Sequence, residues 1–354
     1  MAYTDIDKPS DYFNTKLYTG NGSNNTSITG VGFQPDWVWV KARNIEYGHK
    51  LFDSVRGQGK RLSSNDADAE STVTNELTSF NSDGFTTNNN NGMNENNRPY
   101  VAWNWLAANG TASNTAGSIN STVSVNTTAG FSIVSYTGTG YPDSTNSATV
   151  GHGLGVAPKM VIVKNRIDAG NWTAGININS SIDFDKALML NLSSAIEDYN
   201  GYFNDTNPTS SVFSVGFHSN TNGGSDALIA YCFSDVQGFS KIGSYTGNGN
   251  ADGTFVYTGF KPSFILAKRT DATAGWVLFD NKRIGYNGSG NYWLDAQNAE
   301  ADQTDATGMF DQLSNGFKIR SSFGSRNASG GNYIYMAFAE APLVGSNNVP
   351  CTAR

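Results

Sequence analysis

A pattern of one proline, a short apolar run and one lysine occurs three times in this chain at the same internal spacing. The copies lie at residues 35–41, 158–164 and 262–268. Proline has no N–H to donate, so it suits the start of a strand, and an unbroken apolar run suits a strand covered on both faces. The pattern therefore predicts three equivalent buried strands, one in each of three repeated units.

Two further landmarks accompany this pattern in the same order in each copy. Each copy begins with the tripeptide Tyr-Thr-Gly, at Tyr18, Tyr136 and Tyr245. Each copy ends in an apolar segment in which an alanine precedes an aromatic residue, at Ala102, Ala230 and Ala337. Self-similarity of this kind is typical of tandem repeats. We therefore interpret the chain as three diverged copies of one module.

The composition favours strands joined by tight turns. The 354 residues include 39 glycines and only 15% charged residues, and glycine and asparagine tolerate the positive φ that tight turns need. Aromatic residues reach 12%, which is too many for a disordered chain. Punctuation by Gly, Asn and Asp about every ten residues is typical of sandwiches. We predict an all-β fold of three tandem β-sandwich or jelly-roll-like modules.

The landmarks also set the predicted boundaries. The three β modules are predicted at residues 16–108, 131–238 and 239–344. The segment 109–130 is rich in Gly, Ser, Thr and Asn, and we interpret it as a linker or extended arm. Residues 1–15 are predicted to form an N-terminal arm or an edge strand, and residues 345–354 a C-terminal tail.

Charge and the sequence of the N-terminus argue against several classes of protein. A net charge of −7 and a pI near 5.0 argue against nucleic-acid binding, which needs clustered Lys and Arg. No apolar run reaches the length of a membrane span, about 18 residues, so we expect no membrane insertion. The first residues lack the basic and apolar regions of a secretory signal, and two cysteines are too few for a disulfide framework.

Long stretches of the sequence resemble an uncharacterised repeat domain of virion-associated proteins of tailed phages, particularly marine and cyanobacterial ones. The matching stretches are residues 12–15, 18–22, 35–43, 51–57, 83–85, 127–138 and 150–159. This resemblance implies location on a virus particle, in tail, fibre or head accessory structures, after synthesis in the host cytoplasm. It implies other virion proteins as partners. It implies no reaction and no catalytic residues.

The residues that commonly perform chemistry do not form a catalytic pattern. The histidines His49, His152 and His218 have no His, Cys or acid at metal-ligand spacing, and we expect His152 to be a turn residue that hydrogen-bonds the backbone. We expect no cofactor and no metal. Acids that could act in pairs on a glycan, or ligate Ca²⁺, are Asp66, Asp68, Glu70, Asp183, Asp185, Asp302 and Asp305. We interpret them as solvated loop residues.

One charged pair recurs between the first and third copies. Asp53 and Arg56 correspond to Asp280 and Arg283, whereas the matching positions of the second copy are Ile176 and Asn179. A shared active site would need the pair in every copy. We therefore predict a local ion pair or turn clamp, which contributes under about 1 kcal/mol if it is exposed.

Tryptophans offer the best candidate contacts for a sugar. Trp37, Trp39, Trp103 and Trp105 lie in the predicted core strands, so we expect them to pack internally. Trp172 lies in the polar segment 170–173, and we predict that it is more exposed and is the most plausible ligand contact.

Together these observations favour a non-enzymatic structural or display protein of a phage particle, either a capsid-associated accessory or a tail or fibre component. Contact with host surface glycans is compatible with that role. We expect a homo-oligomer, with a trimer as the first hypothesis, although three internal copies can also imitate a three-fold arrangement within one chain. The alternatives are a tail-associated depolymerase, which needs two carboxylates facing one groove, and a carbohydrate-binding adhesin.

Overall fold

The computed structural model describes residues 3–141, 143–283, 287, 291–305, 309–347, 349 and 350. Within them, the strands form antiparallel sheets and the helical segments are single turns. The prediction of an all-β fold is confirmed. No helix in the described part of the chain is both long and apolar enough to cross a bilayer.

The first region of the chain forms one four-stranded sheet and a smaller sheet packed on it. Its elements are η1 (Pro9–Asp11), β1 (Phe13–Thr19), β2 (Thr26–Thr29), β3 (Trp37–Ala42), β4 (Lys50–Asp53), β5 (Lys60–Arg61), β6 (Ser71–Thr72), β7 (Leu77–Asn81), β8 (Gly84–Thr87), α1 (Asn91–Asn94) and β9 (Pro99–Trp105). The first large sheet has the order β1-β9-β3-β4, and the small sheet has the order β2-β8-β7.

The second region forms an eight-stranded sheet and a two-stranded one. Its elements are β10 (Ala112–Asn114), β11 (Ser121–Asn126), β12 (Phe131–Thr137), β13 (Ala148–Gly151), β14 (Met160–Asn165), β15 (Thr173–Ile176), β16 (Lys186–Met189), β17 (Glu197–Asp198), α2 (Asn200–Phe203), β18 (Val212–Val215), α3 (Ser219–Asn222) and β19 (Ala227–Phe233). The second large sheet has the order β10-β11-β12-β19-β14-β15-β16-β17, and β13 pairs with β18.

The third region forms a six-stranded sheet and a three-stranded one. Its elements are β20 (Ser240–Thr246), β21 (Phe255–Tyr257), β22 (Phe260–Arg269), β23 (Trp276–Asp280), β24 (Asn291–Asp295), β25 (Gln303–Asp305), β26 (Phe310–Leu313), β27 (Gly316–Ile319), α4 (Gly324–Asn327) and β28 (Asn332–Pro342). The third large sheet has the order β20-β28-β22-β23-β24-β25, and the small sheet has the order β21-β27-β26.

The strands of the proline–lysine pattern are covered on both faces, as predicted. In β3, Trp37 and Trp39 point to one side, and Val38 and Val40 pack on the other side against the small sheet. All six residues of β3 and all six of β14 are buried. The proline precedes the strand in the first two copies, whereas Pro262 lies inside β22 at a break in the pairing register, where a missing N–H costs no regular ladder bond.

Each large sheet has one face opposite its small sheet, and these three faces meet in one shared core. Its larger members are Phe13, Trp37, Trp39, Trp103, Trp105, Phe131, Ile133, Met160, Ile162, Trp172, Tyr231, Phe233, Phe264, Leu266, Trp276, Met336 and Phe338. Trp37 of the first sheet stacks on Tyr231 of the second, with 4.4 Å between ring centroids. Phe13 stacks on Phe338 of the third sheet at 4.9 Å. Each large sheet therefore has one face in its own sandwich and the other in this shared core.

The closing strand β9 is covered on both faces. Trp103 and Trp105 lie in the shared core, whereas Tyr100 and Ala102, which lie on the opposite face of the strand, are buried against the small sheet. Both faces are covered because the sheet is the middle layer between two sets of side chains.

The interpretation of residues 109–130 as a linker or arm is wrong. This segment contains β10 and β11, and β11 pairs along its whole length with β12 at the edge of the second large sheet. Ile119 and Val123 are buried in the sandwich of the second region, and the Ser121 hydroxyl donates to the carbonyl of Gly151. Its small polar residues alternate with aliphatic ones, which is the pattern of a strand with one buried face.

The N-terminal segment is packed rather than extended. Ile6 is buried in the shared core, and β1 already begins at Phe13. The carboxylate of Asp7 accepts a hydrogen bond of 2.6 Å from the backbone N–H of Ser346. The N-terminal and C-terminal segments are therefore neighbours. Residues 1, 2, 348 and 351–354 of the predicted arm and tail lie outside the described residues.

Candidate functional site at the sheet junctions

The charged pair that recurs in the sequence lies at the first junction, between the first and second large sheets. Arg56 Nε lies 2.5 Å from Asp53 Oδ2, and the backbone N–H of Arg56 donates to Asp53 Oδ1 at 2.8 Å. The predicted local ion pair is confirmed. Both side chains are fully buried, so the small energy of an exposed pair does not apply, and breaking the pair leaves a buried charge without a partner.

The pair is completed by residues of the second large sheet. Tyr231 donates its hydroxyl to Asp53 Oδ2 at 2.6 Å. Arg56 also contacts Glu70 at 3.1 Å, and Arg166 contacts the same carboxylate at 2.9 Å. Burial opposes ionisation of Glu70, but the hydrogen bond from Arg166 and the charge of Arg56 hold its pKa below the usual value.

The second junction, between the third and first large sheets, repeats this arrangement. Arg283 Nε lies 2.7 Å from Asp280 Oδ2, and its Nη1 lies 2.9 Å from Asp302. Trp103 donates its indole N–H to Asp280 at 3.1 Å. Arg43 contacts Asp302 at 2.7 Å. An aromatic donor and an arginine thus reach from the neighbouring sheet at both junctions.

The third junction, between the second and third large sheets, has uncharged residues at the matching positions. Asp53 lies opposite Trp37 and Asp280 opposite Phe264 in the strand register, and Ile176 occupies this position opposite Met160. The aromatic donors Trp103 and Tyr231 lie opposite Trp39 and Ile162, and Met336 occupies this position opposite Leu266.

Backbone hydrogen bonds identify the remaining two positions of the third junction. Glu70 N–H donates to the Arg166 carbonyl at 2.9 Å, and Asp302 N–H donates to the Arg43 carbonyl at 2.6 Å. The corresponding bond at the third junction runs from Ile196 N–H to the Thr270 carbonyl at 2.8 Å. The acid is therefore replaced by Ile196 and the arginine by Thr270, so the sheets are held by the same backbone contact without the ionic network.

A cleft of about 570 Å³ opens at the third junction. Its lining residues are Asn179, Ser180, Ser181, Ile182, Lys186, Ile196, Ser244, Tyr245, Thr246, Thr270, Asp271 and Asn332. Asn179 stands where Arg56 and Arg283 stand in the other two regions, and Ile196 and Thr270 replace the acid and the arginine. The cleft therefore occupies the place that charged side chains fill at the first and second junctions.

Ring N–H groups form a second set of contacts across the junctions. Trp172 donates to the Ser63 carbonyl at 2.8 Å, and Trp276 donates to the Met189 carbonyl at 2.9 Å. The Nδ1 atom of His49 accepts from Trp39 at 2.7 Å, so Nε2 carries the proton and donates to the Asp295 carbonyl at 3.1 Å. The second region thus binds the first, the third binds the second, and the first binds the third, so the three contacts form a closed cycle.

This contact corrects the prediction for Trp172. The side chain is fully buried, so it is a core residue and not an exposed ligand contact. The polar residues around it in the sequence belong to the loop that carries the ring into the junction, where Asn191 accepts from the Trp172 backbone N–H at 2.9 Å.

The lysines of the repeated pattern are buried beside the same junctions. Lys41, Lys164 and Lys268 are almost inaccessible to solvent. Burial lowers the pKa of each to about 8. The ammonium groups donate to carbonyls, for example Lys164 to Ala67 of the first region at 3.1 Å.

The side chains of His152, Asp183 and Asp185, which were candidates in the sequence, make hydrogen bonds or ion pairs with nearby groups of the protein. His152 accepts from the Leu154 N–H and its Nε2 lies 3.1 Å from the Thr209 carbonyl, as expected for a turn histidine. Asp183 and Asp185 share one turn, where their mutual side-chain hydrogen bond raises the pKa of Asp183, and Asp185 is paired with Lys186 at 2.8 Å.

The remaining acids do not meet at one place as a metal site. Asp66 accepts from the Asp68 N–H at 3.2 Å, and the side chain of Asp305 lies outside the described residues. The interpretation of Glu70 and Asp302 as solvated loop residues is wrong, because both are largely buried and paired with two arginines each at the first and second junctions. Among the side chains that the structure describes, no three His, Cys, Asp or Glu residues are grouped closely enough to hold a metal ion.

Three buried asparagines were missed in the sequence. Asn94, Asn222 and Asn327 each end a one-turn helix, and each side-chain oxygen accepts a backbone N–H from the loop after the Tyr-Thr-Gly motif, at 3.0, 2.8 and 2.9 Å. Their amide groups donate to carbonyls nearby, including that of Ser23. An asparagine shortly before each closing strand was the available signal.

These observations define an all-β protein in which three large antiparallel sheets share one core and meet at two charged junctions and one uncharged junction. The chain belongs to the family described as a domain of unknown function (DUF7483), whose model matches residues 8–342. No curated protein and no solved structure matches the chain. The family match extends over all three large sheets.

Proposed function

We propose that the protein is a non-enzymatic structural or display component of a phage particle, built from three tandem copies of one β-sandwich module. The observation that carries this proposal is the shared core, in which large aromatic side chains of all three sheets interlock. Such a core is suited to a rigid structural protein, because separating the modules would expose all of these rings to water.

The strand pairing supports the repeat. In every region the strand that ends in the Tyr-Thr of the Tyr-Thr-Gly landmark pairs with the closing strand, and the closing strand pairs with the strand of the proline–lysine pattern. A small sheet covers the same face of each large sheet. The buried asparagines Asn94, Asn222 and Asn327 take the same place in each region.

The buried junctions support the structural role. Two of them contain a fully buried ion pair that is linked to the neighbouring region through a second, largely buried arginine–acid pair. Such networks enforce one relative position because any other leaves charges unpaired. The resemblance to virion proteins of tailed phages supplies the proposed location, with other virion proteins as partners. A homo-trimer remains our proposal for the assembly, and native mass spectrometry that finds only monomers at micromolar concentration would argue against it.

Cryo-electron microscopy of particles that carry this gene tests the proposed function. We expect density that fits the three sandwiches and their common core on the particle. Density on the capsid lattice or vertices would make the protein a head accessory, and density at the tail tip or fibres would make it a tail component. Purified particles without the chain would contradict the proposal.

A further inference from the structure

We infer that the cleft at the third junction is a binding site for a neutral oligosaccharide. The inference deepens the proposed function and rests on it for its biological setting, since a displayed protein meets glycans on a host surface. The site itself is argued from the residues that line the cleft.

The cleft exists because the third junction lacks the side chains that fill the other two. Five residues of the third junction replace members of the charged network. Ile176 replaces the aspartate, Asn179 the arginine and Ile196 the second acid. Thr270 replaces the neighbouring arginine and Met336 the aromatic donor. The backbone bond from Ile196 to Thr270 is retained, so the walls keep their separation. A volume of about 570 Å³ lies within the range of ligand pockets, roughly 300–1,000 Å³.

The lining offers hydrogen bonds that the protein does not use. Ser180, Ser181, Ser244, Thr246 and Asn332 are exposed, and their side chains make no hydrogen bond within the described part of the chain. Hydroxyl and amide groups both donate and accept, which matches the hydroxyl groups of a sugar. Ser244 and Thr246 alternate along β20, so both side chains lie on the face that contains Ile242 of the shared core.

The charges of the cleft are already neutralised. Lys186 lies 2.8 Å from Asp185, and Asp271 lies 2.7 Å from Arg269. A phosphate or sulfate would need an uncommitted arginine or a cluster of cations, and a cationic ligand would need an uncommitted acid. The electrostatics therefore favour a neutral ligand.

The cleft also has an apolar part. Ile182 belongs to the shared core, and the half-buried Ile196 packs against it. Aliphatic groups beside polar ones are suited to a sugar ring, which has C–H faces and a hydroxyl rim. Because the walls belong to two sheets joined through the shared core, binding orders little of the protein and retains more of its gross contact energy.

Saturation-transfer NMR on the purified full chain tests the inference. The probes are maltohexaose, cellohexaose and chitohexaose as neutral hexasaccharides, with a sulfated hexasaccharide as the charged comparison. We expect transfer to at least one neutral probe, unchanged when the salt concentration is raised, because neutral contacts are not screened. Absence of transfer to all three neutral probes, or a preference for the sulfated probe that disappears in salt, would overturn the inference.

Two variants in the cleft and one control variant locate the binding. Ser244→Trp fills the cleft from an exposed position and should abolish transfer, whereas Ser27→Trp on the exposed strand β2 should leave it unchanged. Asn332→Ala should weaken binding about fivefold to tenfold, as expected for the loss of one hydrogen bond. Near-ultraviolet circular dichroism checks that each variant is folded, and transfer that persists in folded Ser244→Trp would overturn the assignment to this cleft.

The binding test and the imaging test fail separately. A chain that lies on the particle but binds no neutral hexasaccharide overturns only the sugar site. A chain that binds sugar in this cleft but is absent from particles overturns only the proposed function.

Discussion

The hydroxyl of Tyr231 donates a hydrogen bond of 2.6 Å to the carboxylate of Asp53, although 178 positions separate the two residues in the chain. The bond joins the second large sheet to a buried ion pair of the first. Trp103 makes the corresponding bond to Asp280, and Met336 at the third junction has no group that can make it. The aromatic donor is thus one of the five side chains that distinguish the two charged junctions from the uncharged one.

Removing the arginine of the first junction should strongly destabilise the protein. Arg56→Met leaves Asp53 buried without its cation, and breaking a buried pair costs about 3–5 kcal/mol. Urea unfolding measures this cost as a shift of the midpoint. Lys8→Met, which removes one partner of an exposed pair with Asp11, is the control and should change the midpoint little. Equal midpoints for the two variants would show that the buried pair does not contribute as argued.

Introducing an acid at the third junction should be costly for the same reason. Ile176→Asp puts a carboxylate at the position of Asp53, but the residue at the position of Arg56 is Asn179. We expect a loss of several kcal/mol, since the charge is buried without a partner. Ile176→Val is the matched control and should cost about 0.5–1.5 kcal/mol. Similar unfolding free energies for both variants would mean that the site admits water.

The buried lysines predict that stability rises with pH between about 8 and 9. The pKa of Lys41, Lys164 and Lys268 is lowered from 10.5 to about 8 in the folded state, so in this interval the unfolded chain binds more protons and a rise in pH favours folding. Cys232 acts in the opposite direction, because burial raises the pKa of its thiol above the usual 9. Burial likewise raises the pKa of tyrosines such as Tyr231 and Tyr335 above the usual 10, so the rise in stability ends as the pH approaches 10 and the unfolded tyrosines lose their protons.

Unfolding free energies between pH 7.5 and pH 9 check this prediction. Lys164→Met should reduce the upward slope by at least a third, because it removes one of the three similar groups that cause the rise. Lys60→Met, which changes a half-buried lysine of β5, should leave the slope unchanged. A flat or falling profile in the unmodified protein would contradict the prediction.

The buried asparagines should contribute more to stability than their polar surroundings in the sequence suggest. Asn94→Ala removes the acceptor of the Asn21 N–H and the donor to the Ser23 carbonyl, and we expect a loss of about 1–3 kcal/mol. Asn96→Ala, at an exposed position two residues later, should cost much less. Thermal unfolding followed by circular dichroism separates the two outcomes.

The sequence predicted local features well because they depend on neighbouring residues. The proline–lysine pattern located β3, β14 and the centre of β22, and the spacing of Asp53 and Arg56 predicted an ion pair within one turn. The cleft at the third junction was indicated only indirectly, through Ile176 and Asn179, which break the repeat of charged residues.

The contacts between the large sheets were not predicted, because they join residues that are far apart in the sequence. Trp172 stands among polar residues, and nothing nearby indicates that its ring enters a junction with Ser63. The Gly- and Ser-rich composition of residues 109–130 concealed the buried face that Ile119, Ser121 and Val123 form at every second position. Small side chains are common in linkers and in tightly packed strands alike, so composition alone could not separate the two.

The contact between Asp7 and Ser346 brings the two ends of the domain to one point on its surface. Tyr3 and Pro350 therefore lie on the same side of the domain, where both Tyr3 and Leu343 bind the Gly259 carbonyl and Pro350 pairs with Val344. A partner protein fused at either of these positions, or a larger protein with this domain inserted in one of its loops, would be attached at this one place.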